Sequence, residues 1–447
     1  MATPHQTDDT STKMIERAPR LDIIIVGAGL GGLATAVSCA LAQHRVIVLE
    51  ASRELAEIGA GLQITPNASR LLRRWGLEAE VEAVAAEPTL LAVHRYSNGK
   101  ILAEERDFDK KMRTKYDAPF LDMHRADLQK ILFNKALSLG VRVELGVRIS
   151  KVVPGPEVVL ESGKRLHGDL VIGADGLWSK CRESMLGKSD QPLPTGDLAY
   201  RIVLDLEKMT NPELRQWISN PQVHFWIGPY SHAVAYSLRG GTMYNIVLLC
   251  PDDLPKDVSR SKGSVGEMRA LFSGWDPILT RFLEQVDQVD KWKLMHREEL
   301  ETWTNAEKDF VLIGDSCHPM LPYLAQGANS SLEDAGVLGG LLSHVKSKEQ
   351  LRWAITLYER VRKSRSEKIV RETFRQRDAF HMPDGEEQEV RDSLFASQLG
   401  KSISCNFPSR WTCPEVQPWL YGYDSYHEAD EAINLHPFSS IGGLESE

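Results

Sequence analysis

Cysteine pairs are missing from this chain. Its six cysteines, at 39, 181, 250, 317, 405 and 413, form no CxxC and no cluster with histidine. That usage excludes a disulfide scaffold and a zinc site, leaves no metal expected, and suits a reducing compartment. A basic excess is missing too: 53 Lys and Arg stand against 62 Asp and Glu, a formal charge of -9, which argues against a nucleic-acid partner. No apolar run approaches the roughly 20 residues of a membrane helix. Residues 1–19 are polar, read as a floppy tail, and lack the apolar core of a signal peptide. The acidic Glu-Ser-Glu end is neither a prenylation box nor a peroxisomal tripeptide. The expectation is a cytoplasmic protein with no membrane association, no internal repeat and no low-complexity segment. What is present is ordinary globular composition, 42% hydrophobic and 26% charged, in 447 residues, long enough for two or more cores.

The most specific stretch is LDIIIVGAGLGGLATAVSCALAQHRVIVLE, residues 21–50. A continuous apolar run over 23–26 reads as a strand buried on both faces. Gly27, Gly29 and Gly32 follow at GxGxxG spacing, then apolar residues at helical spacing, then a second strand ending in Glu50. Gly27 allows the tight turn, Gly29 lets a pyrophosphate approach the backbone, and Gly32 lets helix and strand pack closely. The helix N-terminus offers unpaired N–H groups to phosphates. Glu50 accepts ribose hydroxyls and repels a 2′-phosphate, so the tightly held nucleotide is expected to be an ADP moiety. This motif alone leaves FAD and NAD open.

Two further strand ends follow. DLVIGADGLWSKCR (169–182) sets Asp175 after an apolar strand, and on its own Asp175 reads as a turn aspartate, since Asp-Gly is a common turn pair. IGDSCHPMLPYLAQGANSSLEDA (313–335) sets Asp315 at another strand end, with a glycine turn at Gly327, Ala328 and Asn329 opening a helix. Ser330 and Glu333, at S-x-x-E spacing, are expected to form a capping box at that helix start. His318 is read as bonding the turn beside Pro319 and Pro322 and not as a catalytic group.

In this order the motifs resemble the group A flavoprotein monooxygenases, the para-hydroxybenzoate and salicylate hydroxylase family, over about residues 20–380. EIGAGLQITPNA (57–68) and HRADLQ (124–129) are similar to its fungal salicylate-hydroxylase-like members. The chain departs from the commoner family forms at Ser316-Cys317 and Asn329-Ser330-Ser331. The resemblance implies an α/β fold: a Rossmann-like FAD-binding domain of the GR2 type, an inserted β-sheet substrate domain and a C-terminal helical extension. The expected division is 20–185 and 296–380 for the FAD-binding domain and long helix, 186–295 for the substrate sheet, and 381–447 for the extension. Residues 350–378 read as one long helix whose nine Lys and Arg form a solvated basic face.

The resemblance also assigns roles. Glu50 would hold the adenosine ribose of non-covalent FAD, and Arg125 would reach its phosphates and ribityl chain. Gln63 would line the flavin region, and Asp175 would lie near FAD and the NAD(P)H path. Asp315 would bind the ribityl or pyrophosphate part, and Gly327, Ala328 and Asn329 would aim backbone N–H groups at the isoalloxazine. In the family, NAD(P)H reduces FAD, O2 then gives a flavin C4a-hydroperoxide, and that species hydroxylates a small aromatic, usually phenolic, anthranilate-like or indole. Secondary metabolism is the expected setting. Arg201, in AYRIVL, and Tyr236, in HAVAYSL, stand where relatives hold the substrate oxyanion, and they are the expected catalytic pair. By strand patterning alone they are equally a surface arginine and a core tyrosine, and Phe225, Trp226 and His224 are weaker pocket candidates. Epoxidation or oxidative rearrangement of an indole or alkene, and NADPH oxidation without hydroxylation, are the alternative activities.

Overall fold

The computed structural model describes residues 20–55, 60–401 and 408–438. The 1–19 tail, Cys405, the start of the 57–68 motif and the acidic C-terminal residues lie outside this set. The apolar runs of the three motifs become neighbouring strands of one parallel five-stranded sheet. Its order is Phe310–Leu312, Leu170–Gly173, Asp22–Val26, Arg45–Glu50 and Arg142–Leu145. The first three are buried along almost their whole length, as continuous apolar strands covered on both faces must be. Being parallel and adjacent, they bring Gly27, Asp175 and Asp315 to the same edge, the carboxyl ends where open α/β sheets bind ligands.

Two helices cover that edge. Leu30–Leu41 starts at Gly29, and Gln326–Ser343 packs along it so tightly that a Cβ on Gly339 would stand 1.9 Å from Ser38 Oγ. The long helix Leu351–Phe380 follows. It does not present one solvated basic face: Arg362 and Arg365 are buried, 0% and 7% exposed. The reason is that Glu333 and Asp334, themselves fully buried, face them from the helix Gln326–Ser343.

A second, eight-stranded sheet stands opposite: Arg260–Gly263, Val289–His296, Leu193–Asp205, Met243–Pro251, Ser231–Leu238, Val223–Gly228, Leu90–Arg95 and Ile101–Arg106. It runs wider than the segment 186–295, because Leu90–Arg95 pairs in parallel with Val223–Gly228. A two-stranded ribbon, Gly61–Ile64 with Leu121–His124, lies between the layers. The last helices, Val416–Tyr421 and Ser425–Leu435, pack back on the core, where Ala429 touches the Gly340 position. Among the described residues no helix is long and apolar enough to cross a membrane.

Candidate active site

The glycine loop has the strained geometry its sequence calls for. Gly27 adopts φ +106°, and a Cβ there would lie 2.4 Å from the Ala174 carbonyl oxygen. A Cβ on Gly32 would lie 2.0 Å from the Gly27 oxygen. Nothing stands within 4 Å of a Cβ on Gly29, so that glycine leaves open space. No side chain caps the helix that starts there, and its first N–H groups remain available. The Glu50 carboxylate accepts the Ala28 N–H at 2.7 Å and the Ser52 N–H at 2.8 Å, tying the loop to the next strand. Two carboxylate oxygens carry about four lone-pair sites, so acceptor capacity remains for hydroxyls.

Beyond the loop lies a cavity of about 340 Å³ between the two sheets. One wall carries Gly29, Gln63, Arg125, Asp315, Gly327 and Ala328, and the opposite wall carries Arg201, Phe225, His232, Val234 and Tyr236. The 326–343 helix aims its N-terminus at this space. Ala325, at φ 51°, starts it five residues before Ser330, and no side chain caps it. The expected capping box is therefore absent. Ser330 sits inside the helix, and Glu333 is engaged by Arg362, Arg365 and Asn67. Only Met320 Cγ, at 3.8 Å, approaches a Cβ on Gly327, so packing does not impose that glycine.

Asp315 lies in a one-turn helix, Gly314–Ser316, and its side chain opens to the cavity. The enclosing walls push its carboxyl upward, while the charges of Arg125 and His318 pull it down. Asn329 is not on the wall. Its amide accepts the Thr65 N–H at 3.1 Å and donates to the Gln63 carbonyl at 2.9 Å, clamping the ribbon to the helix start. Gln63 in turn donates to Asp122 at 2.8 Å. Asp175 also stands off the wall: its carboxylate accepts Ser179 Oγ and the N–H groups of Lys180 and Cys181, capping the helix Lys180–Leu186. His318 is buried scaffolding, bonded to Asp334 Oδ2 at 2.6 Å and not to the proline turn.

Arg201 and Tyr236 both line the cavity's sheet wall, on strands separated by Met243–Pro251. The Arg201 guanidinium lies over Trp292, 4.6 Å from the ring centroid. Burial and the Asp122 charge raise Tyr236, and Arg201 opposes them. The ring of Tyr236 packs on Gly61, where a Cβ would come within 2.7 Å of it. Strand alternation explains why Phe225 lines the cavity while Trp226 turns away to donate to Asp276 at 2.7 Å and His224 turns to His94. Sequence reasoning missed His232, Tyr323 and Trp411. A histidine or aromatic in a strand or loop carries no periodic signal for which of two cores it joins. Trp411 comes from beyond the last recognisable motif, donates to the Tyr323 carbonyl at 3.1 Å and closes the cavity.

The chain matches the model of the FAD binding domain family over residues 20–373. It is 48% identical over 419 residues to the FAD-dependent monooxygenase OpS4 of Beauveria bassiana, covering 92% of this chain and 97% of the relative. It is 34% identical to the 3-hydroxybenzoate 6-hydroxylase of Klebsiella oxytoca, covering 90% and 96%. Among solved structures, CtdE in complex with FAD and a substrate superposes with a TM-score of 0.78 at 23% identity, covering 93% of this chain and 98% of that one. A salicylate hydroxylase substrate complex superposes with 0.75 at 20% identity, covering 92% and 98%.

Proposed function

This chain belongs to the FAD-dependent monooxygenases, and from that premise we propose that it hydroxylates a small electron-rich aromatic, phenolic, anthranilate-like or indole, at the expense of NAD(P)H and O2. A place in secondary metabolism accords with the 48% identical fungal relative. The observation that carries the reading is the single cavity with two unlike walls. One is built of glycine backbone, two helix N-termini, Arg125 and Asp315, and the other of Arg201, Tyr236 and apolar strand residues.

The residues present fit FAD. The open Gly29 position and the uncapped first helix suit the pyrophosphate, and Glu50 suits the adenosine ribose. Arg125 and Asp315 face the cavity where a ribityl chain would run, and the 326–343 helix start suits negative charge on the reduced ring. Bound FAD supplies the electron transfer and oxygen activation. The chain's own residues supply the rest. Arg201 attracts a carboxylate or phenolate, and its charge favours the ionised, reactive form of a phenol. Tyr236, on the same wall, offers a hydroxyl to hold the substrate oxygen. Phe225, Val234 and Trp411 exclude water.

The test is a visible spectrum of the purified protein, followed by anaerobic flavin reduction by NADPH and NADH across a panel of phenols, anthranilates and indoles. A yellow protein whose reduction one such aromatic accelerates supports the reading. A protein that cannot be reconstituted with FAD, or one that sends every electron to H2O2 with the whole panel, overturns it.

A further inference from the structure

The edge of the substrate sheet beside Arg201 carries side chains that have no part in the proposed reaction so far. Residues 289–296 read VDKWKLMH, and strand alternation sends them to opposite faces. Lys291 and Lys293 turn to the far face, where Asp253 and Asp252 hold them at 2.6 and 3.2 Å. Asp290, Trp292 and Leu294 share the near face, and Leu294 lines the cavity. Trp292 is half-buried and does not line the cavity itself. Among the described residues it joins none of the apolar clusters.

Its neighbours are cations instead. Two guanidinium groups reach the indole from the strands on either side of it. Arg260, on the outer strand, is its direct cross-strand partner and lies 4.4 Å from the ring centroid. Arg201, on the inner strand, stands in register with Asp290 and lies 4.6 Å from that centroid. Asp290 is engaged from the outer side, 3.2 Å from Arg260 and 3.2 Å from Lys262. From the sheet edge inward the order is therefore Arg260 and Lys262, then Trp292 and Asp290, then Arg201 at the cavity.

We propose that Trp292 is a positioning residue for the reaction: its ring holds Arg201 in the pose that grips the anionic group of the aromatic. Arg260, tied to Asp290, braces the ring from the outer side. The inference rests on the hydroxylase reading and on Arg201 as its anion holder. An arginine with no such support is long and flexible, and ordering it when substrate arrives costs rotamer freedom. An arginine already laid on an indole has given up that freedom beforehand. It also lends its face to the ring and keeps its edge, where the N–H fork lies, for a carboxylate that accepts two hydrogen bonds at once. Trp292 makes no contact with the aromatic on this account and acts only through Arg201.

The experiment titrates FAD-loaded enzyme near neutral pH with 3-hydroxybenzoate and with 3-methylphenol, its uncharged counterpart. Each dissociation constant is read from the change in flavin spectrum, in the parent, W292L, W292F, R201A and the double variant W292L/R201A. In W292L the dissociation constant for 3-hydroxybenzoate rises about 10-fold, the scale of a desolvated cation–π contact. That for 3-methylphenol stays as in the parent. W292F, which keeps an aromatic face, recovers most of the loss. In the R201A background W292L adds nothing further, because both changes break one contact and the effects of contacting residues do not add.

Equal weakening of both ligands in W292L, or a loss as large in R201A as in the parent, reduces Trp292 to a structural part and overturns the inference. Parental binding of 3-hydroxybenzoate in W292L overturns it as well. Parental binding in R201A removes the anion holder, and the inference with it, while the hydroxylase reading stands. If neither ligand perturbs the flavin spectrum of the parent, the inference falls together with that reading.

Discussion

At the scale of single residues, three glycines in one loop have three different duties, and substitution separates them. Gly29 has open space and extended backbone, φ -68° and ψ -179°, so Gly29→Ala leaves the protein folded while weakening FAD retention. Gly32→Ala drives a methyl into the Gly27 carbonyl and lowers the thermal midpoint instead. Comparing flavin-to-protein ratio with melting temperature in the two variants checks the distinction. Asp315→Ala should release FAD, read as loss of yellow colour on gel filtration. Arg201→Ala should stay yellow and lose aromatic-stimulated turnover by about 100-fold or more, measured as kcat/KM on the responding aromatic. If Arg201→Ala turns over like the parent, the substrate wall is misassigned. The glycines were legible in sequence because their constraint is local backbone geometry. Asp175 shows the limit. A carboxylate after a strand reads the same whether it faces a ligand or caps the next helix, and the Ser179, Lys180 and Cys181 donors that occupy it are evident only in the fold.

At the scale of elements, the buried ionic cluster between the helices Gln326–Ser343 and Leu351–Phe380 fixes the helix start that faces the cavity. Arg362 holds Glu333 at 2.6 Å and Asp334 at 2.8 Å, and Arg365 holds Glu333 at 2.8 Å, all nearly solvent-free. Removing one partner of a buried pair strands the other, so Arg362→Met should cost about 3–5 kcal/mol and lower the thermal midpoint accordingly. Burial opposes the Asp334 charge, yet His318 and Arg362 outweigh it and bring the carboxyl from 3.8 down to about 2. A depressed carboxyl stabilises the fold above its unfolded value, and that stability is lost as pH falls. Acid unfolding should therefore steepen between pH 3.8 and about 2, with about 2 kcal/mol at stake. Asp334→Asn should flatten that limb of a urea-midpoint profile against pH. The sequence showed the long helix and its nine cations but not their burial. A charge pattern does not reveal that two acids on another helix, about 30 positions earlier, face it.

At the scale of the whole molecule, the cavity lies where the parallel sheet, the proposed nucleotide half, meets the mixed sheet, the proposed substrate half. The nucleotide half was legible because its three strand-end motifs are each continuous in sequence. The substrate half was not, since its walls come from segments as far apart as Ala199, His232, Tyr323 and Trp411. The C-terminal extension is part of that half. Trp411 is 2% exposed and packs on Phe120 and Phe225. Trp411→Ala should leave a void costing about 3–5 kcal/mol and admit bulkier ring systems, seen as a shift in which aromatics accelerate flavin reduction.

The central claim is transfer of an oxygen atom from O2 to an aromatic bound against Arg201 and Tyr236. Turnover of the responding aromatic under ¹⁸O2, read by mass spectrometry, tests it most directly. The account predicts one labelled oxygen in the ring product, none from labelled water, and loss of that product in Arg201→Ala. An unlabelled product, or NAD(P)H consumption that ends wholly in labelled H2O2, would contradict it.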